Sequence, residues 1–256
     1  MNKRLRLTIA YDGTPWQGWQ SQTHGMGVQD QVEKALSTIA KVPVKIEGSG
    51  RTDRGVHAIA QIAHADVPAE IGMTGDSWVR AANCVLPSSI RLMHCEDAPP
   101  GFHARFQTKG KIYRYRVSRS APLSPFEANR AWLVYGELNS NSIQTCLDLL
   151  VGKHNFARLA ANRGDFNDAR KRGGAAATTR TIFRAEAQEE NQVLTLEFEG
   201  DGFLYKMVRL ITGSIIHVAR GRATTEWFAS LLSEPEGLKS HLCAPPEGLY
   251  LVRVMY

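Results

Sequence analysis

The stretch GSGRTDRGVHAIAQIAHAD, residues 48–66, sets the reading of this chain. It opens on glycine, places Arg51, Asp53 and Arg54 within four positions, and then runs into an apolar segment. VPVKIEG before it has the composition of a short strand, and VHAIAQIAHADV after it reads as a longer one. Asp53 therefore sits on a turn between two strands. The flanking guanidinium groups favour the ionised carboxylate. An ionised carboxylate suits a nucleophile or base better than a general acid. The plainer alternative is a solvated Asp-x-Gly turn. Strands feeding into and out of the turn add weight to the catalytic reading and leave both open.

Upstream, Leu5 to Tyr11 alternates as a half-buried strand, and D-G-T-P breaks it. VQDQVEKALSTIAKV places Val28, Val32, Leu36 and Ile39 on one helical face. A second helix is expected from Ser77 to Cys84, ending before Pro87, and SIRLMHCED forms a further strand. The order is β-α-β-β-α-β. The second half repeats that order without repeating the residues. ARFQTKGKIYRYRVSR holds a strand, NSIQTCLDLLVG a helix, and RTIFRAEAQEENQVLTLEFEGDG two strands joined at Glu189–Asn191. LYKMVRLITGSIIHVARG and EWFASLLS are helical, and GLYLVRVMY closes the chain as a strand. The expected fold is α+β, with two ferredoxin-like domains at 1–100 and 101–256. ANRGDFNDARKRGGAAATTR, residues 161–180, lacks periodicity and reads as a long surface loop.

Composition narrows the class. The chain has 256 residues, 43% hydrophobic and 22% charged, as in globular domains. No apolar run approaches the ~18 residues of a membrane span. The N-terminus lacks the pattern of a signal peptide, so a cytoplasmic location is expected. Four scattered cysteines, Cys84, Cys95, Cys146 and Cys243, form no C-x-x-C pair and read as ordinary buried thiols. The net charge of +6 is uneven, with six Lys/Arg and no acid between Gly101 and Ser120. Such an excess suits nucleic acid, or else a solvated basic face.

Two more constellations stand out. In FHARFQTKGKIYRYRV, Tyr113 and Tyr115 share one strand face with Lys111, while Arg114 and Arg116 share the other. That arrangement suits base stacking with phosphate contact, or a tyrosine pair packed on a sheet. His103 and Arg105 are candidate phosphate contacts. In GDGFLYKMVRLITGS, a helix expected from about Phe203 carries Arg209 inside an apolar run. An arginine there needs a counter-charge, and Asp53 is one candidate. No metal motif, P-loop or dinucleotide fingerprint is present, so neither metal nor cofactor is expected.

These motifs, in this order, closely resemble the tRNA pseudouridine synthase A family. YDGTPWQGWQSQ, VQDQVEKAL, GSGRTDRGVHAIAQIAHAD, FHARF, KIYRYRV, TRTI, GFLYKMVRLITGS and EGLYLV all match, and G-R-T-D-x-G-V-H is specific to it. The resemblance implies a pseudouridine synthase fold of two α/β domains around a basic cleft. It further implies a homodimer and conversion of uridine to pseudouridine in the anticodon stem-loop of tRNA. By this resemblance Asp53 is the catalytic aspartate, Arg51 helps displace the target base, and Tyr113 stacks on uracil and accepts a proton. Arg209 pairs with the aspartate, and Leu249 lies beneath the uracil. The loop at 161–180 is longer and more basic than usual for the family, and Arg54 replaces a small residue found in many members. A non-catalytic RNA-binding module and a hydrolase using Asp53 and His57 are the competing readings.

Overall fold

Alternation along the first strand, β1 (Asn2–Tyr11), buries Leu5, Leu7 and Ile9 completely on one face. A computed structural model describes residues 1–161 and 177–256, and β1 begins the first of its two compact units. That unit comprises 1–109 and 250–256. It continues through α1 (Val28–Ala40), β2 (Ile46–Gly48), β3 (His57–Pro68), α2 (Gly75–Val85) and β4 (Ile90–Asp97). The strands order as β4-β1-β3-β2, the ferredoxin-like arrangement expected from the sequence. β1 runs antiparallel to both β3 and β4.

β3 is the spine of this unit. Residues 61–65 are buried without interruption, Gln61 and His64 included, because both faces are covered. Its second half pairs with β2, Ile46 lying opposite Ala65. Its first half pairs in parallel with the C-terminal strand (Leu249–Met255), Tyr250 lying opposite His57. The amphipathic helices bury Val28, Val32, Ala35 and Leu36 of α1 and Trp78 and Ala82 of α2. Thr74 caps α2 by accepting from the Ser77 amide.

The division of the chain falls nine residues later than the expected 100/101. Residues 101–109 belong to the first unit because they are tied to it at both ends. Arg4 Nη1 donates to the Phe102 carbonyl at 2.8 Å, and the Lys109 amide donates to that of Met255 at 2.8 Å. The closing strand, expected to complete the second half, contributes residues 250–256 to the first unit through its pairing with β3.

The second unit, 110–249, has its own strands. β5 (Gly110–Ser118) pairs with β9 (Val193–Gly200), β9 with β8 (Thr179–Glu190), and β8 with β7 (Gly152–Asn155), all antiparallel. β6 (Trp132–Leu133) adds a short parallel pairing to the end of β5. Neither β6 nor β7 is foreseen from the sequence, since two residues and a polar tetrapeptide carry no alternation. α3 (Ser140–Leu150) packs on β8 and on the two later helices, α4 (Met207–Ala219) and α5 (Thr225–Ser233). α4 starts one turn later than expected, because Lys206 takes a left-handed conformation with φ 59°. Of its residues only Arg209 and His217 are not buried. Among the described residues no helix is long and apolar enough to cross a membrane. Cys95 and Cys146 are buried as expected, whereas Cys84 and Cys243 are exposed. Most of the expected loop at 161–180 lies outside the described residues.

The β8–β9 hairpin turns on Asn191 and Gln192, with φ of 49° and 63°. Such a two-residue turn favours glycine at its second position. Gln192→Gly should raise the unfolding free energy by about 0.5–1 kcal/mol in denaturant titrations.

Candidate active site

Residues 49–56, between β2 and β3, carry Asp53, and their backbone is held from three directions. Behind the loop, the fully buried Gln61 accepts from the Ser49 hydroxyl at 2.7 Å and donates to the Gly50 carbonyl at 2.9 Å. At its centre, the Trp19 amide donates to the Thr52 carbonyl at 3.1 Å, and the Thr52 hydroxyl bonds Tyr11 Oη at 2.8 Å. At its end, the Val56 amide closes a turn onto the Asp53 carbonyl at 3.1 Å.

Two glycines of YDGTPWQGW bring their backbone against the same loop. A Cβ on Gly13 would lie 2.1 Å from the Val56 carbonyl oxygen. Gly18 has φ +98°, and a Cβ there would lie 2.7 Å from the Thr52 oxygen and 3.1 Å from the Asp53 carbonyl carbon. Only glycine permits so close an approach of two backbones. Two glycines set among tryptophans in one short segment are the signal by which the sequence announces the clamp. The Gly13 amide also donates to Nδ1 of His57 at 3.1 Å. His57 is 3% exposed and stacks on Tyr250 at 4.6 Å. Its Nδ1 also lies 3.2 Å from Asp12 Oδ1, and its burial beneath Tyr250 leaves the ring little access to water, which disfavours the hydrolase reading with His57 as base. The Asp53 side chain is half-buried, while Arg51 and Arg54 are exposed. The loop thus combines a fixed main chain with two exposed arginines around a half-buried carboxylate.

In the second unit, Tyr113 stands on β5 opposite Phe198 and is buried, with its ring edge-on to Phe203 at 5.0 Å. Tyr115, two residues on, is fully buried and donates from its hydroxyl to the Pro245 carbonyl at 2.7 Å. Burial drives the Tyr115 phenol far above its ordinary range, so this tyrosine is structural. Arg209, in the first turn of α4, donates from Nε to the Ala244 carbonyl at 2.8 Å, and its own carbonyl accepts from the Ala244 amide at 3.0 Å. Residues 244–249 consequently link α4 to β5 and lead to the buried Leu249.

The charges on the opposite face of β5 are largely offset. Arg114 pairs with Glu197 at 3.0 Å, Arg116 with Glu127 at 2.8 Å and, just past the strand, Arg119 with Glu189 at 2.8 Å. Arg184 joins the same network through Glu186, Glu197 and Glu199. The basic excess counted along residues 101–120 therefore overstates the charge offered to a polyanion. Asp53 and Arg51 share one loop of the first unit, where His103 and Arg105 lie on the 101–109 segment. Tyr113, Arg209 and Leu249 belong to the second unit.

One grouping has no signal in the sequence. Ligand atoms of Glu47, His64 and His103 lie within 4.8 Å of one another. Metal-bound histidines donate from the ring nitrogen that faces away from the ion. Here Nδ1 of His64 instead accepts from the Ala104 amide, and Nδ1 of His103 accepts from the amides of Arg105 and Phe106. An accepting Nδ1 leaves the ring proton on Nε2, the nitrogen a cation would need. Burial, Arg4 and His103 together keep His64 below the usual histidine range.

The sequence model of the tRNA pseudouridine synthase family matches residues 7–107 and 147–256. This chain belongs to that family. The tRNA pseudouridine synthase A of Akkermansia muciniphila is 44% identical over 254 residues, covering 99% of this chain and 95% of that protein. The enzymes of the same name from Neisseria gonorrhoeae and Ruminiclostridium cellulolyticum are 37% and 36% identical, each over 99% of this chain and covering 92% and 100% of their own lengths. Asp53, Arg51, His103, Arg105, Arg209 and Leu249 fall inside the stretches matched by the synthase family, and Tyr113 falls between them.

Gly18→Ala combines an unfavourable φ with a backbone collision. It should lower the unfolding free energy by about 2–3 kcal/mol in denaturant titrations. Hydrogen exchange should speed at the Trp19 amide by roughly tenfold or more, ahead of any change in β1.

Proposed function

We propose that this protein is the isomerase that converts uridine to pseudouridine in the anticodon stem-loop of tRNA, with Asp53 as the catalytic carboxylate. The observation that carries the reading is a half-buried aspartate on a loop whose main chain is clamped, in a chain related end to end to tRNA pseudouridine synthases. A carboxylate on a clamped main chain reaches its target without the entropy of ordering a mobile loop. Relatives named as synthases over nearly their full length disfavour a non-catalytic RNA-binding module.

The reaction breaks the N1–C1′ bond, turns the base and joins C5 to C1′. A proton leaves C5 and N1 gains one, so no atom is lost and no electron acceptor is needed. Asp53 attacks C1′ as a nucleophile, or takes the C2′ proton towards a glycal intermediate, or adds to uracil C6. All three routes require the anionic carboxylate. We assign Arg209 the role of its cationic partner, as the resemblance implies. Tyr113 stacks on the detached ring and accepts the C5 proton, and Leu249 packs beneath the uracil. Removing a nucleotide from its stack costs a few kcal/mol. Arg51, exposed beside Asp53, fills the vacated space, and phosphate contacts offset the remainder. The same resemblance supports a homodimer whose two subunits hold each tRNA.

Asp53→Asn preserves the shape of the side chain and removes its charge. Tritium release from 5-tritiated uridine in tRNA should fall by about 10²–10⁴-fold or more, while tRNA affinity stays within about threefold. Substantial release by the variant would overturn the assignment. Tyr113→Phe should retain the ring and the tRNA affinity but lose turnover by about 10²-fold or more. An unchanged single-turnover rate would remove the hydroxyl from the mechanism.

A further inference from the structure

Phe106 is 75% exposed, on a turn of the first unit that is built to hold it outward. A lone exposed aromatic is ordinary on a protein surface. This one has a foundation. The Ala104 amide donates to His64, the Ala104 carbonyl accepts from Tyr256 Oη at 2.6 Å and from Thr108 Oγ1 at 3.0 Å, and Gln107 bridges Gly101 and His103. His103 gathers the amides of Arg105 and Phe106 onto Nδ1 and turns Nε2 towards the Glu47 carboxylate at 3.4 Å. Both ring nitrogens of His103 are thus engaged within the protein. Its ring stacks on Phe106 at 4.2 Å with an interplanar angle of 30°.

The charge around the ring points to its occupant. Arg105 places its guanidinium carbon over the Phe106 ring, 5.8 Å from the centroid, and is itself exposed, so an incoming base can displace it towards a phosphate. Among the described residues, neither Arg105 nor Lys109 makes an ion pair, in contrast to Arg114, Arg116 and Arg119 further along the chain. An aromatic ring backed by a second ring, with an uncompensated guanidinium against it, is an arrangement that takes up an unpaired base with its phosphate.

We infer that Phe106 is a stacking platform for an unpaired nucleobase of the tRNA substrate, with Arg105 meeting the neighbouring phosphate. His103 and Glu47 are positioning residues that hold the platform in place. The inference rests on the reading of the chain as a tRNA-modifying enzyme, and it adds a point of RNA contact on the first unit. The stack is formed before RNA arrives, so little side-chain freedom is lost on binding.

The test uses the full chain, with a tRNA transcript as probe at one fixed salt concentration. Phe106→Ala should weaken tRNA binding and raise KM by about tenfold, with kcat within about twofold of the unaltered protein. Phe106→Trp should keep the affinity, and Phe106→Leu should be as weak as alanine, because leucine offers apolar area without a π face. Melting temperatures should not move, since the ring is exposed. Wild-type binding by Phe106→Ala, or full binding by Phe106→Leu, would overturn the platform. So would a shift of Phe106→Ala from dimer to monomer in sedimentation, which would make the ring a contact between copies. If the unaltered protein made no pseudouridine, the functional reading would fail instead, and a loss of tRNA binding in Phe106→Ala would still support the platform.

Discussion

Two backbones come closer together beside Asp53 than any side chain would allow. Gly13 and Gly18 set the segment after β1 against the carbonyls of Val56 and Thr52, so the loop cannot shift without moving that segment. Much of the first unit serves this approach. Tyr11 ends β1 by bonding Thr52, Trp19 donates to the same residue, and buried Gln61 on β3 holds the far side of the loop. A carboxylate on a free turn would sample many orientations. Here the main chain is fixed, so only the side-chain rotamers of Asp53 remain to be set.

The second unit shows how one pattern is divided between two environments. Tyr113 and Tyr115 lie two residues apart on β5 and look equivalent in the sequence. Tyr115 is spent on the Pro245 carbonyl, within the packing that also secures Arg209 through Ala244. Tyr113 meets Phe203 instead, on the turn that precedes α4. The basic residues divide likewise. Arginines of β5 and its end are matched by glutamates, whereas Arg105 on its turn has no such match among the described residues. Net charge along a chain is therefore a poor guide to the charge a surface presents, because cross-strand neighbours are distant in sequence.

Much of the fold was legible because alternation and helical period are local properties. β1, α1, α2 and the β8–β9 hairpin all follow from the spacing of their own apolar residues and from the polar turn between strands. Two features were not. β3 is buried on both faces, so His64 and Gln61 lie inside despite their polarity, each satisfied by partners that no local pattern names. The late start of α4 follows from the conformation of Lys206, while the apolar spacing from Phe203 onward would have suited a longer helix.

The family, the β-α-β-β-α-β order of the first unit and the candidate residues for chemistry could be read from the chain alone, because motif identity and periodicity are written residue by residue. Which of those residues are committed to packing emerged only from the folded molecule. His57, Tyr115 and the arginines of β5 are drawn into stacking, carbonyl bonds and ion pairs by partners far along the chain. Glu47 likewise engages His103, which becomes the support of Phe106. A side chain's chemistry depends on what satisfies it, and that is settled when distant strands meet.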